Sequence, residues 1–282
     1  MKKVALINDL SGFGKCSLTA AIPVISVMGV QACPLPTAVL SAQTGFQDYF
    51  YDDFTDKMDS FTDHWKQMDV HFDGIYSGFL TNSRQIERVH YFLEHFQEKN
   101  TLYLADPIIG DHGKAFGMVN EAFLIKMREL TARADIITPN FTELCLLADA
   151  DYAELITHCQ EQDYLQRIKA ICEKLLAKAS REQNIIVTGI LRKKAEKEYI
   201  GNLAVSCKEE FYLETPYTGI SFSGTGDLYA STIIGSLVKG HTIQAAMDKA
   251  ACFLQTAIED ASRENIPRNH GVQFEKYLSR LI

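Results

Sequence analysis

The 282-residue sequence has no apolar run approaching the length of a membrane span, and the first such run, Val4-Ala5-Leu6-Ile7, is only four residues long. A crossing helix needs about 20 apolar residues and a signal-peptide core about 7–15. Neither is expected, and residues 4–8 read instead as a first buried strand. Basic charge is also short: 28 Lys and Arg face 36 Asp and Glu, for a net charge of −8. Without a basic stripe, nucleic acid is not an expected partner. Small anions remain possible ligands, because helix N-termini and single lysines act locally. The seven cysteines (16, 33, 145, 159, 172, 207 and 252) are odd in number, scattered, and form no Cys-x-x-Cys pair. That argues against a disulfide framework or zinc cluster and predicts mostly buried free thiols in a reducing, cytoplasmic setting. The eight histidines show no metal-ligand spacing. There is no low-complexity stretch, no Pro- or Gly-rich linker and no internal repeat, so residues 1–282 read as a single domain.

What is present is an alternation of short apolar runs with longer stretches of helical period, the pattern of parallel strands joined by crossover helices. Strands are expected at 4–8, 32–40, 73–77, 101–105, 136–138, 185–188, 198–205 and 210–214. Helices are expected at 18–28, 53–68, 83–96, 120–132, 142–147, 163–179, 226–238 and 242–264. Pro34 and Pro36 weaken the second strand, which is expected to be an edge or irregular. The predicted fold class is α/β: one mainly parallel, doubly wound sheet with helices on both faces. In such sheets ligands bind outside the carboxyl ends of the strands. That rule selects Asp9, Thr44, Gly78, Asp106, Asn140, Thr188 and the loop before Gly224.

The most informative segment is Ser221-Phe-Ser-Gly-Thr-Gly-Asp-Leu. Gly224, Thr225 and Gly226 before an apolar helix let main-chain N–H groups converge on an anion, suiting the charge of a transferring phosphoryl group. Asp227 then stands in the first turn, where its carboxylate can take a proton from a substrate hydroxyl. A plain helix cap is the alternative, but a cap needs no paired glycines. Asp106-Pro107 has two readings, a simple turn or a carboxylate serving Mg²⁺. So do Asn140 and Glu143, as a capping box or as part of a metal–phosphate network. The turn Asn8-Asp-Leu-Ser-Gly-Phe-Gly-Lys15 fits neither a P-loop nor the dinucleotide fingerprint. It still brings Asp9 and Ser11 to a close-approach loop, with Lys15 read as a solvated lysine.

Taken together, Ser11-Gly-Phe-Gly14, Pro34-Leu-Pro-Thr37 through Thr44-Gly45, Tyr76-Ser-Gly-Phe-Leu80, Asp106-Pro-Ile-Ile-Gly110, Pro139-Asn-x-x-Glu143-Leu144 and Gly224-Thr-Gly-Asp227 resemble the ribokinase-like superfamily. Within it, the pattern is most like the pyridoxal (pyridoxine, pyridoxamine) kinases and, more distantly, the hydroxymethylpyrimidine kinases. The resemblance covers nearly the whole chain. It implies a homodimeric, ATP- and Mg²⁺-dependent kinase with a small vitamin substrate. Asp227 would be the base and the Gly224–Gly226 amides the anion hole. Asp106 and Glu143 would serve ATP phosphates and the metal, with Asn140 beside them and Thr188 near the nucleotide. Asp9, Ser11, Thr44 and Gly78 would line the substrate side. One departure stands out. Many pyridoxal kinases carry serine where Asp9 stands, so this turn looks more like a hydroxymethylpyrimidine kinase. The rival readings are that activity, a sugar kinase without its usual β-rich lid, and a non-catalytic vitamin- or nucleotide-binding protein.

Overall fold

The structure is a computed structural model that describes residues 1–282. In chain order it comprises β1 (Lys3–Ser11), α1 (Ser17–Val27), β2 (Gln31–Leu40), β3 (Tyr51–Asp53), α2 (Met58–Gln67), β4 (Gly74–Ser77), α3 (Ser83–Phe96) and β5 (Leu102–Ala105). There follow β6 (Gly110–Asp111), β7 (Lys114–Ala115), α4 (Glu121–Ala132), β8 (Ile136–Ile137), α5 (Phe141–Ala148), α6 (Tyr152–Ile156) and α7 (Tyr164–Leu176). The chain ends with β9 (Asn184–Lys194), β10 (Lys197–Val205), β11 (Glu210–Pro216), α8 (Thr225–Val238) and α9 (Ile243–Arg263), with short 3₁₀ turns at Thr55–Lys57, Arg268–His270 and Phe274–Leu281. The protein is mixed α/β with a large, mostly parallel sheet and helices, as expected. No helix is long and apolar enough to cross a membrane.

The chain divides into two compact units, residues 1–104 with 220–282, and residues 105–219. In the first, strands run in the order β5-β4-β1-β2-β3. β1 is parallel to both β2 and β4, and β3 adds antiparallel to the end of β2. The chain steps from β1 to β2 on one side and returns past β1 to β4 on the other. Right-handed crossovers therefore send α1 and α2 to opposite faces. Accordingly α1 packs with α8, and α8 in turn with α9, while α2 packs with α3. Trp65 of α2 anchors the second pair against Phe72 and Phe92. The loops after β1 and β4 thus leave the sheet in opposite directions. The crevice between them is the topological switch point.

Several elements differ from expectation. β1 runs on to Ser11, because Leu10 and Ser11 pair with Val39 and Leu40 across a register shift after Asn8. Asp9 therefore lies at an irregular point inside a strand rather than beyond it. β2 holds Pro34 and Pro36 beside β1, and β3 covers only Ala38–Leu40. Over the prolines the far side of β2 therefore has no strand partner, and the missing N–H groups cost no ladder bond there. The expected helix at 53–68 begins later, at Met58, because Asp53 pairs in β3 and its carboxylate then accepts the Thr55 N–H at 2.7 Å.

In the second unit the strand order is β11-β10-β9-β8, with β8 parallel to β9 and the rest antiparallel. A two-stranded hairpin, β6–β7, occupies residues 110–115, where only a loop was expected. β9 extends to Lys194, so Thr188 sits within it. All seven cysteines are free, as expected, but only Cys16, Cys145 and Cys172 are buried, while Cys207 and Cys252 are exposed.

Candidate active site

In the first unit the carboxyl end of β1 meets the N-terminus of α8. Gly224 is the N-cap residue of that helix, with φ +82°, and it offers no side-chain cap. A Cβ there would run into the Lys15 carbonyl oxygen, so only glycine admits the close approach of the two loops. Thr225 Oγ1 donates to the Phe222 carbonyl at 3.0 Å, stabilising the turn into the helix. Gly226 is exposed, and a Cβ on it would meet nothing within 4 Å. The first-turn N–H groups have no carbonyl within the helix to bind. The open side of Gly226 lets an anion reach them.

Asp227 follows, 7% exposed. Its Oδ1 accepts from Asn8 Nδ2 at 3.1 Å and from Tyr76 Oη at 3.3 Å. Burial raises the carboxyl to about 6, the Ser17 main-chain N–H opposes that rise, and the nearby Asp9 charge adds to it. Such a group is ionised at neutral pH yet basic enough to accept a proton. Asp9, 3% exposed, accepts from Ser11 Oγ at 2.7 Å. Its own acidity is also weakened by burial, with Ser17 and Ser11 as opposing donors. Cys16, the N-cap residue of α1, is pushed up by burial and by Asp227 and Asp9, which keeps it a neutral thiol.

The structure therefore brings Asp9, Gly78 and Asp227 together around Asn8, with Ser11 joined through Asp9 and Gly224 three residues before Asp227. Gly78 is where a Cβ would overlap the Asn8 amide. Thr44 is exposed in its turn, and its buried neighbour Gln43 makes the contacts. Gln43 Nε2 donates to Asn269 O at 3.1 Å and lies 3.3 Å from Ser223 Oγ, while Oε1 accepts from Gly45 N at 2.7 Å. Lys15 is paired with Glu275 at 2.7 Å beside a cavity of about 360 Å³ that Phe13 and His270 also line. Asn8, Tyr76 and Gln43 were not singled out from sequence. An amide or phenol inside an apolar strand, as at Asn8 and Tyr76, or in a loop, as at Gln43, carries no spacing signal.

In the second unit Asp106 accepts from Thr138 Oγ1 at 2.9 Å and is 7% exposed. Asn140 and Glu143 form a reciprocal capping box on α5: Asn140 Oδ1 accepts from Glu143 N at 2.9 Å, and Glu143 Oε2 accepts from Asn140 N at 2.8 Å. Glu143 Oε1 accepts from Ile109 N at 3.2 Å. Burial and the Asp106 charge together raise Glu143 well above the usual carboxylate range. Thr188 donates its N–H to Pro139 O at 2.9 Å and bridges to Asn140. Of the two readings of Asn140 and Glu143, the capping box is present. Both Glu143 oxygens are engaged by main-chain donors, and no group of three His, Cys, Asp or Glu side chains is placed to hold a metal. With both oxygens so engaged, Glu143 does not fit direct Mg²⁺ ligation.

A switch-point crevice with a buried, weakly acidic aspartate at a glycine-capped helix N-terminus defines an α/β protein suited to proton abstraction beside a bound anion. The sequence model of the phosphomethylpyrimidine kinase family matches residues 14–272, and the chain belongs to that family. A candidate phosphomethylpyrimidine kinase from Bacteroides thetaiotaomicron VPI-5482 is 35% identical over 99% of this chain and 93% of its own, with a TM-score of 0.91. A second crystal form of that protein, with pyridoxal, has a TM-score of 0.88 at 35% identity, over 99% of this chain and 95% of its own. Pyridoxal kinase PdxY of Haemophilus influenzae (strain PittEE) is 24% identical over 68% of this chain, and the alignment spans 66% of that protein, just under two thirds of its length. The pyridoxal kinase of Leishmania donovani, solved with ADP and pyridoxamine, shares the fold at 17% identity over 100% of this chain and 96% of its own, with a TM-score of 0.84.

Proposed function

We propose that the chain is an ATP-dependent kinase that phosphorylates the 5′-hydroxymethyl group of pyridoxal, pyridoxamine or pyridoxine, with Asp227 as general base. The observation that carries this reading is the placement of Asp227. It is buried, raised to about 6, and set one residue beyond the open amide of Gly226. Phosphoryl transfer asks mainly for positioning and charge stabilisation. The amides following Gly224 would meet the charge on the transferring group while Asp227 takes the hydroxyl proton. Asp9 and Ser11 would border the ring side, and Thr44 would lie at the outer edge of that pocket. Asp106, Asn140, Glu143 and Thr188 would serve the nucleotide, with Asn140 and Glu143 shaping the main chain. Mg²⁺ is expected to arrive with ATP, and no step is assigned to it. Residues 1–282 would act as one kinase module, since the family match runs across both units. A homodimer in the cytoplasm completes the proposal.

The matched family's description favours a second reading, hydroxymethylpyrimidine kinase. The pyridoxal-containing relative favours the first. Coupled ATP-consumption assays against the three B6 vitamers and hydroxymethylpyrimidine decide between them. In the same assays Asp227→Asn is expected to bind ATP and vitamin as the wild type does while kcat falls by about 10²–10⁴-fold. Near-normal turnover in that variant would remove Asp227 from the mechanism.

A further inference from the structure

Asn8 is completely buried, and its amide can point only one way. Oδ1 accepts two main-chain N–H groups, from Phe79 at 2.8 Å and from Asp9 at 3.0 Å. Nδ2 is therefore turned to Asp227 Oδ1, 3.1 Å away and 219 positions along the chain. Gly78 makes the arrangement possible, since any side chain at that position would occupy the space of the Asn8 amide. Tyr76 Oη approaches the same carboxylate oxygen from β4. Two donors from two adjacent parallel strands thus converge on one oxygen of a carboxylate carried by a helix. Neither donor can turn to water in place of Asp227.

We propose that Asn8, seated by Gly78 and assisted by Tyr76, is a positioning residue: it fixes the Asp227 carboxylate and holds it ionised for proton abstraction. This rests on Asp227 being the base. The groups facing Asp227 are Asp9 on β1, Cys16 and the Ser17 N–H at the start of α1, and Tyr76 on β4. Asp9 and burial favour the protonated acid, while Asn8, Tyr76 and Ser17 favour the carboxylate. A donor to the charged form lowers a carboxyl pKa, so removing it moves the acid limb of activity upward.

The test is the pH profile of kcat/KM for wild type, Asn8→Ala, Tyr76→Phe and Asp227→Asn, with vitamin and ATP. Asn8→Ala is expected to move the acid limb up by about one pH unit, with activity recovering towards high pH and KM for ATP unchanged. Tyr76→Phe is expected to move it the same way by less, and it decides the matter if Asn8→Ala does not fold. A purely structural loss would lower the whole profile without moving the limb. Limbs coincident with wild type, alongside an inactive Asp227→Asn, overturn the role of Asn8 and leave the base in place. An active Asp227→Asn overturns both.

Discussion

The two glycines flanking Thr225 look equivalent in sequence and do different work in space. Gly224 is held at φ +82° against the Lys15 carbonyl, whereas Gly226 faces open space. Alanine at 224 must adopt the left-handed conformation and push the β1–α1 loop away, so Gly224→Ala is expected to cost about 2–4 kcal/mol. Gly226→Ala is expected to leave the fold within about 0.5 kcal/mol of wild type. Urea midpoints of the two variants measure the difference, and equal midpoints would contradict it. At this scale the sequence already exposed Asp9, Asp227 and the glycine turn, because strand ends and Gly-Thr-Gly-Asp are local patterns. Asn8 carries no such pattern although it adjoins Asp9. Its partners are Phe79 and Asp227, and no local pattern links positions so far apart.

Among the elements, the long periodic helices were legible, and of the short pieces β8 and α5 were expected while β3, α6 and the β6–β7 hairpin were not. The predicted α3 coincides with Ser83–Phe96, since its apolar face repeats cleanly and Asn82 caps it. The β6–β7 hairpin left no sequence signal because its strands, Gly110–Asp111 and Lys114–Ala115, contain no apolar run. What holds it is α5: Asn140 Nδ2 donates to Gly110 O at 2.9 Å, and Thr142 Oγ1 accepts from Gly113 N at 2.9 Å. The capping residue of α5 therefore also secures the hairpin. Asn140→Ala removes the cap and leaves the Gly110 carbonyl without that donor. It is expected to destabilise the protein by about 1–2 kcal/mol, read as a lower urea midpoint. Hydrogen exchange should quicken in residues 110–115 together with the first turn of α5. Exchange confined to α5 alone would show that the hairpin is secured by other contacts.

For the whole molecule, the alternation of apolar runs was enough to give an α/β fold, because each buried strand must be covered by the helix that follows it. The antiparallel β9–β11 end and the extension of β1 to Ser11 depend on pairing across sequence, which periodicity does not record. Global stability should also register the strained chemistry of one buried acid. Folding raises Asp227 from an ordinary 3.8 to about 6, so the folded chain holds that proton more tightly than the unfolded one. The stability this proton contributes is complete below about pH 4 and is lost as pH rises through 6; above that, the fold carries a buried charge. A displacement of that size is worth at most about 3 kcal/mol. Asn at 227 keeps the shape and has no charge to bury. Asp227→Asn is therefore expected to be more stable than wild type at pH 8, with the gap closing as pH falls towards 4.5. Urea titrations of both proteins across that range measure it. A variant less stable than wild type at pH 8 would mean that the Asn8, Tyr76 and Ser17 donors already outweigh the cost of burial. The expected gain, in a variant expected to lose turnover, would mark position 227 as one where the fold gives up stability to keep a base.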